Sequence, residues 1–354
     1  MSELDYPYDS YADLPGVAFG AMRQVILTQA KAAGLVVLKD QPGDVTVQTV
    51  HGLIGLRPGG AAETAGMVAA RDPRWLFIMK NAVVEQMRQL MPDVAKAMRW
   101  SDGDVEGALP PNFQFVTATR VAPLGSAFLR VTLEGDGFAS FGDTAIHFRL
   151  VQPPEGAEPV WPSLAPNGSI RWPEGPGAPH MPVYTVRHVD HAANALVTDV
   201  FVHEGGRTTA WAEAVMAGAR ERRVVGLVGP SGGGLLHADD VLMATDETGF
   251  PAAARLLENL PDGATGTVIL EAEEGEACGY PITAPNGITV NWLARSRGER
   301  LIDAALAGLS QRGSETAIWF AGEQQDARRL RETATAAGWT KQKLRISSFW
   351  KAER

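Results

Sequence analysis

Apolar and polar positions change period twice along the chain, and the three stretches predict three kinds of structure. From Leu14 to Trp100 the pattern reads helix, strands, helix. GVAFGAMRQVILTQAKAAGL repeats apolar residues at three-to-four spacing and stops at Gly34, whereas VTVQTVHGLIGLRPG alternates like a hairpin. RWLFIMKNAVVEQMRQLMPDVAKAMRW reads as a strand running into an amphipathic helix. The polar link SDGDVEGALPPN, rich in breakers, marks a boundary.

Five short segments rich in Val, Thr and Phe follow: FQFVTATRVAP, AFLRVTLEGDG, AIHFRLVQ, VYTVRHVD and ALVTDVFVH. Gly, Pro, Asp and Asn turns separate them, as in a small antiparallel barrel, and the last two form a hairpin across HAAN. Residues 153–180 hold too much proline and glycine for regular structure and predict a surface loop. The last third alternates apolar strands with helices, which predicts a doubly wound parallel sheet. Its first strand is read as RRVVGLVG, running into the loop PSGGG, with VLMATD, TGTVILEAE, ITVNWLAR, TAIWFAGE and LRISSFW after it. The expected organisation is a small α+β module at 1–105, an antiparallel β-barrel at 106–207 and an α/β lobe at 208–354.

Composition narrows the partners. A net charge of -9 gives no overall attraction to nucleic acid or to anionic membranes, so an anionic ligand needs a local basic patch. Cys278 is the single cysteine, which excludes internal disulfides and thiolate metal clusters. The N-terminal stretch MSELDYPYDSYADL has no apolar core of the secretory kind, and no stretch offers the ~20 apolar residues of a membrane helix. The expected home is the cytoplasm, with homo-oligomerisation left open.

The candidate chemistry lies where barrel meets lobe. Gly229, Gly232 and Gly233 in GPSGGG let a backbone approach pyrophosphate or nicotinamide closely, although such a loop is also an ordinary turn. Gly206-Arg207-Thr208-Thr209 opens a helix that Thr208 or Thr209 could cap, with N–H groups and dipole offered to an anion. Tyr184 offers a ring face for stacking and Thr185 a donor, yet Tyr-Thr alone is common in strands. Asp246 and Glu247 are a helix cap or ribose contacts. His188, His191 and His203 lack a fourth ligand or a nearby cysteine, so no metal site is expected.

Six fragments in register resemble the siderophore-interacting proteins, flavin-dependent ferric-siderophore reductases of the broad ferredoxin-reductase-like group. IHFRL is similar to that family's His-Val-Lys-Leu strand, and VYTVR to its Arg-x-Tyr-Thr-x-Arg flavin strand. DVFVH with GRTTAWA, then GPSGG, ATDETGFPA and SSFWK, resemble further elements in the family's order. The resemblance covers about Phe113 to Trp350. It implies FAD held by Tyr184, Thr185, Arg187, His203, Gly206, Arg207, Thr208 and Thr209. It implies NADPH or NADH near Gly229, Gly232, Gly233, Asp246, Glu247 and Thr248. Arg295 and Arg297 would receive the 2′-phosphate of NADPH, although the acids of LEAEEGE would repel it. The substrate would be a ferric siderophore docked by Arg149 and Lys351, with electron transfer beside Tyr184 and Thr185.

One departure bears on the cofactor. Pro182 stands where the family has the first arginine of its flavin strand, and Arg207 stands where it has a proline facing the same phosphates. We take Arg207 as the compensating cation. Two alternatives stay open: a scaffold or siderophore-binding protein that has lost its flavin, and a flavin reductase serving a protein partner.

Overall fold

The computed structural model describes residues 6–60, 62–103, 105–154, 156 and 158–352. The first five residues of the acidic N-terminal stretch lie outside them. The described residues form two compact units, one within 1–114, 151–181 and 226–229, the other within 115–150, 182–225 and 230–354.

In the first unit β1 (Tyr8–Asp13), α1 (Phe19–Ala33), β2 (Val36–Gln41), β3 (Asp44–Gln48), β4 (Gly52–Pro58) and β5 (Thr64–Ala70) precede α2 (Pro73–Leu90) and α3 (Pro92–Ala97). The strands pair antiparallel in the order β1-β5-β4-β3-β2. Leu56 and Val68 of the sheet pack with Met22 of α1 and Leu76, Val84 and Met87 of α2. As expected, α1 stops at Gly34, whose backbone is left-handed, and β3 and β4 form the hairpin. The stretch RWLFIM is helical from its start, not a strand. Asp72 accepts from the Arg74 and Trp75 amides at 2.8 and 3.0 Å with Pro73 just inside, and this capped nucleus overrides the β preference of the apolar run. A buried lysine fixes the exit from the module: Lys80, 1% exposed, donates to both Asp102 oxygens at 2.8 and 2.7 Å, and Ser10 donates to the same carboxylate.

The barrel strands are β6 (Phe113–Leu124), β7 (Phe128–Glu134) and β8 (His147–Val151). After an insertion carrying β9 (Ser163–Leu164) and β10 (Ile170–Arg171) come β11 (Val183–Thr185), β12 (His188–Asp190), β13 (Ala195–Phe201), α4 (Arg207–Met216) and β14 (Val224–Ser231). Their sheet runs β11-β8-β14-β6-β7-β13-β12. Only Val186 and Arg187 separate its two end strands, so the sheet must close on itself. The closure is stitched by the Thr198 hydroxyl to the Thr185 carbonyl and the Arg187 amide to the Val197 carbonyl, both 2.8 Å. VYTVRHVD is thus two strands: β12 makes the expected hairpin with β13, while β11 pairs with β8.

Two expectations change here. The insertion is not a plain surface loop, because β9 and β10 pair antiparallel and Trp161 and Trp172 pack against buried Phe113, Val151 and Val228. RRVVGLVG, read as the first strand of the lobe, is β14 and belongs to the barrel's sheet, so the barrel continues well past residue 207. A fully apolar strand fits either setting, since both bury it on two faces, and periodicity cannot separate them.

The lobe runs β15 (Asp240–Asp246), α5 (Phe250–Leu257), β16 (Thr265–Ala272), β17 (Gly287–Ala294), α6 (Leu301–Ser310), β18 (Ala317–Glu323), α7 (Gln324–Ala336) and β19 (Leu344–Trp350). The sheet order β17-β16-β15-β18-β19 is parallel throughout, as predicted. Val241 and Met243 pack on one face of the sheet, Leu242 and Ala244 on the other, so both faces are buried. The first face shares its core with barrel residues Phe128 and Ile146. Strand order reverses at β15, and its carboxyl end is the place where such sheets take ligands.

Candidate active site

Antiparallel pairing of β11 with β8 puts Tyr184 and Thr185 opposite Phe148 and His147. Thr185 is 4% exposed and its hydroxyl lies 3.5 Å from Nδ1 of His147. Burial lowers the His147 pKa and raises that of Tyr184, favouring the neutral form of each. A side-chain hydrogen bond joins Tyr184 to Thr208 in the first turn of α4. The strand read as a flavin cradle and the helix start read as an anion site therefore meet at one contact.

That helix begins differently from the expectation. Gly206 is the cap residue and has no side chain with which to cap α4; Thr208 and Thr209 are buried in its first turn. Arg207 is exposed at the first helical position. The start is thus an uncapped dipole end carrying one added cation, which suits an anion. The His203 ring covers Gly206, where a Cβ would come within 2.9 Å of Nε2. Pro182 uses its carbonyl to accept from the Leu150 amide at 3.0 Å. Arg187, which shares the family's flavin motif, is held by Glu258 at 2.8 Å with buried Asp199 3.7 Å from Nε. Asp199 also takes Arg130 at 2.7 Å and the Tyr280 hydroxyl at 2.7 Å.

The glycine loop has a packing reason for two of its glycines. A Cβ on Gly232, where φ is +76°, would lie 2.5 Å from the His147 ring, and one on Gly234 2.5 Å from the Asp143 carbonyl. Gly233 faces open space and is exposed, while buried Gly229 donates to the Asn112 carbonyl at 3.1 Å.

At the carboxyl end of β15, Asp246 accepts from the Thr248 amide at 2.9 Å and hydroxyl at 2.5 Å through one oxygen. Its other oxygen accepts from the Trp350 indole at 2.7 Å. Burial pushes this carboxyl above the usual range. Buried Glu247 receives Arg295, which also reaches Glu271 at 2.8 Å and Glu273 at 3.1 Å. Arg295, expected to take a 2′-phosphate, is committed to three acids; Arg297 is exposed on the same turn. A cleft of ≈ 620 Å³ is lined by Phe201 and His203 of the barrel and by Asp246, Glu247, Thr248, Arg295, Arg300, Glu323 and Trp350 of the lobe.

Arg149 is exposed on β8, two residues from His147 and so on the same strand face. Lys351 is exposed beyond β19. The Phe349 ring meets His147 edge-on at 5.9 Å, which links β8, the strand of Arg149, to the end of β19 that leads into Lys351. Sequence reasoning left out His147, Glu323 and Arg300, and read Glu271 only as one of the acids of LEAEEGE. His147 had a signal, the IHFRL strand, but the place of Glu271 beside Asp246 is visible only once parallel pairing aligns the strand ends.

A closed barrel whose edge faces the switch point of a parallel lobe defines a two-domain reductase of the flavin and nicotinamide type. Residues 116–234 match the family model described as the siderophore-interacting FAD-binding domain, and residues 238–353 that of the siderophore-interacting protein. The junction falls after β14, in agreement with the topology. An NADPH-dependent ferric-chelate reductase of Escherichia coli (strain K12) is 30% identical over 251 residues, 68% of this chain and 94% of that protein. The ferric vibriobactin reductase ViuB of Vibrio cholerae is 29% identical over 63% of this chain and 82% of its own length. A crystal structure of a siderophore utilization protein from T. fusca superposes with a TM-score of 0.58 at 28% identity, covering 70% of this chain and 95% of that one. The chain belongs to the siderophore-interacting protein family. Among the described residues no helix is long and apolar enough to cross a membrane.

Proposed function

We propose that this protein is an FAD-dependent NAD(P)H:ferric-siderophore oxidoreductase that frees iron by reducing Fe(III) to Fe(II). The observation that carries this is the Tyr184–Thr208 contact, which brings the Tyr184 hydroxyl of β11 to the first turn of α4 in the matched FAD-binding region. The residues present fit FAD: Tyr184 for the ring, the first turn of α4 with Arg207 for the diphosphate, and Thr185 for a polar ring edge. Arg207 supplies the positive charge that Pro182 does not.

Bound FAD supplies the chemistry that matches a two-electron nicotinamide donor to a one-electron iron acceptor. The protein's own part is positioning. Asp246 holds Thr248 and Trp350 at the cleft, and His203 and Phe201 form its barrel wall. Burial keeps His147 and Tyr184 neutral, so neither adds charge beside the ring site. Arg149 and Lys351 attract an anionic chelate to a protein that is acidic as a whole. Hard oxygen donors hold Fe(II) less firmly than Fe(III), so reduction loosens the metal while the carrier stays whole. The cytoplasm, where NAD(P)H is at hand, is the compartment this reading implies.

The test is Fe(II) production from a ferric hydroxamate, read with a ferrous trap, by FAD-loaded protein under anaerobic NADPH or NADH. Fe(II) at a rate proportional to enzyme is expected. No Fe(II) above the free-FAD background overturns the proposal.

A further inference from the structure

The N-terminal module carries a cavity that flavin chemistry does not use. It lies among α1, α2 and the sheet, with a volume of ≈ 310 Å³. That is about twice the ~150 Å³ of an apolar cavity that stays dry and takes up benzene. Met22, Ile26, Val47, Leu56, Val83 and Met87 form much of its wall, and none of the residues lining it is aromatic or charged. The polar contributors are Gln29, Thr49 and Gln86, all uncharged.

Two further observations show a space kept open. Gly66 pairs with Leu56 in the middle of the sheet, and it shares the face of Val68 and Ala70, which pack under the helices. A Cβ there would meet nothing nearer than the Ala12 carbonyl at 3.9 Å, and the backbone is not left-handed, so neither the Cβ nor the backbone resists a side chain at this position. The rim is apolar too. Leu35 and Leu90 line the cavity and are 36% and 47% exposed, which leads from solvent inward over hydrocarbon.

We propose that this cavity binds a single aliphatic chain with an uncharged or solvent-held head. The absence of aromatic walls disfavours a flat ring, and the absence of any cation gives a carboxylate no partner inside. Flexible Met22 and Met87 adapt to a chain whose conformation varies. The chain has two possible sources, a free lipid-like molecule or a tail on the ferric chelate. Only the second rests on the reductase reading.

The experiment titrates full-length protein with n-decanol by calorimetry at several temperatures. Saturable one-to-one binding with a negative heat-capacity change is expected. Gly66→Leu should weaken it at least tenfold while leaving the thermal midpoint equal or higher, because it fills a void. Val83→Phe does the same from α2 and decides the matter should Gly66→Leu fail to fold. Absence of saturable heat with the wild type, or wild-type affinity in both filled variants, overturns the proposal. Ferric hydroxamates with and without a decyl tail then separate the sources. A tail that lowers KM in the wild type but not in Gly66→Leu assigns the chain to the substrate. Equal KM values alongside decanol binding assign it to a free lipid.

Discussion

The Trp350 indole donates to a carboxylate oxygen of Asp246 at 2.7 Å, joining the last strand of the chain to the switch point of the lobe. The bond unites two fragments, ATDETG and SSFWK, that lie about a hundred residues apart. Asp246 is 5% exposed, so each of its oxygens needs a partner, and Trp350 supplies one of them. Trp350→Phe should cost about 1 kcal/mol in urea unfolding, the net value of a typical hydrogen bond, and should speed amide exchange along β19. A loss within about 0.5 kcal/mol, the range of an ordinary surface change, would show that the contact is incidental.

Arg207 is expected to carry the phosphate charge at the start of α4. Arg207→Ala should weaken FAD binding about tenfold and flatten its salt dependence, as loss of one charge-assisted contact would, while the fold stays intact. Arg207→Lys should restore part of the affinity. Unchanged affinity in the alanine variant removes the compensation for Pro182.

The alternation of apolar strands and helices after residue 240 was enough for the lobe, because a parallel sheet buried on both faces leaves that pattern. The barrel was legible as a set of strands but not in its closure. VYTVR breaks at Val186 and Arg187 to change partners, and nothing in local propensity marks the break. β14 carries the same apolar signal in either sheet. In the site, single residues said little, since Tyr184 and Thr185 are ordinary strand residues until β11 meets α4. Arg295 was legible as a cation near the cofactor end, yet its commitment to Glu247, Glu271 and Glu273 depends on strand register and could not be seen.

The two arginines of the 295–297 turn should behave differently. Arg295→Ala strands Glu247 and Glu271, which are 4% and 6% exposed, and should cost about 2 kcal/mol of stability. That is below the loss for a fully buried pair, because the Arg295 side chain is 36% exposed. Arg297→Ala should leave stability unchanged and lower kcat/KM for NADPH about tenfold relative to NADH, one charge-assisted phosphate contact. Equal losses with both nucleotides would mean that Arg297 does not read the 2′-phosphate.

His147 should give the fold a pH dependence. Burial lowers its pKa from 6.5, so above that value both folded and unfolded states hold a neutral ring. As pH falls below 6.5 the unfolded chain takes up a proton that the folded one resists, and stability declines through this window. His51 shifts in the same direction, so His147→Gln should remove part of the slope rather than all of it. Urea midpoints between about pH 8 and about pH 5 measure this, and an unchanged slope in the variant would assign the dependence elsewhere.

The most direct measurement is the visible spectrum of the purified protein after incubation with FAD and removal of the excess, before and after anaerobic NADPH or NADH. The expected result is a bound flavin band that bleaches on nicotinamide and returns when a ferric siderophore is added. A colourless protein that cannot be loaded, or a reduced flavin that a ferric siderophore does not reoxidise, would contradict it.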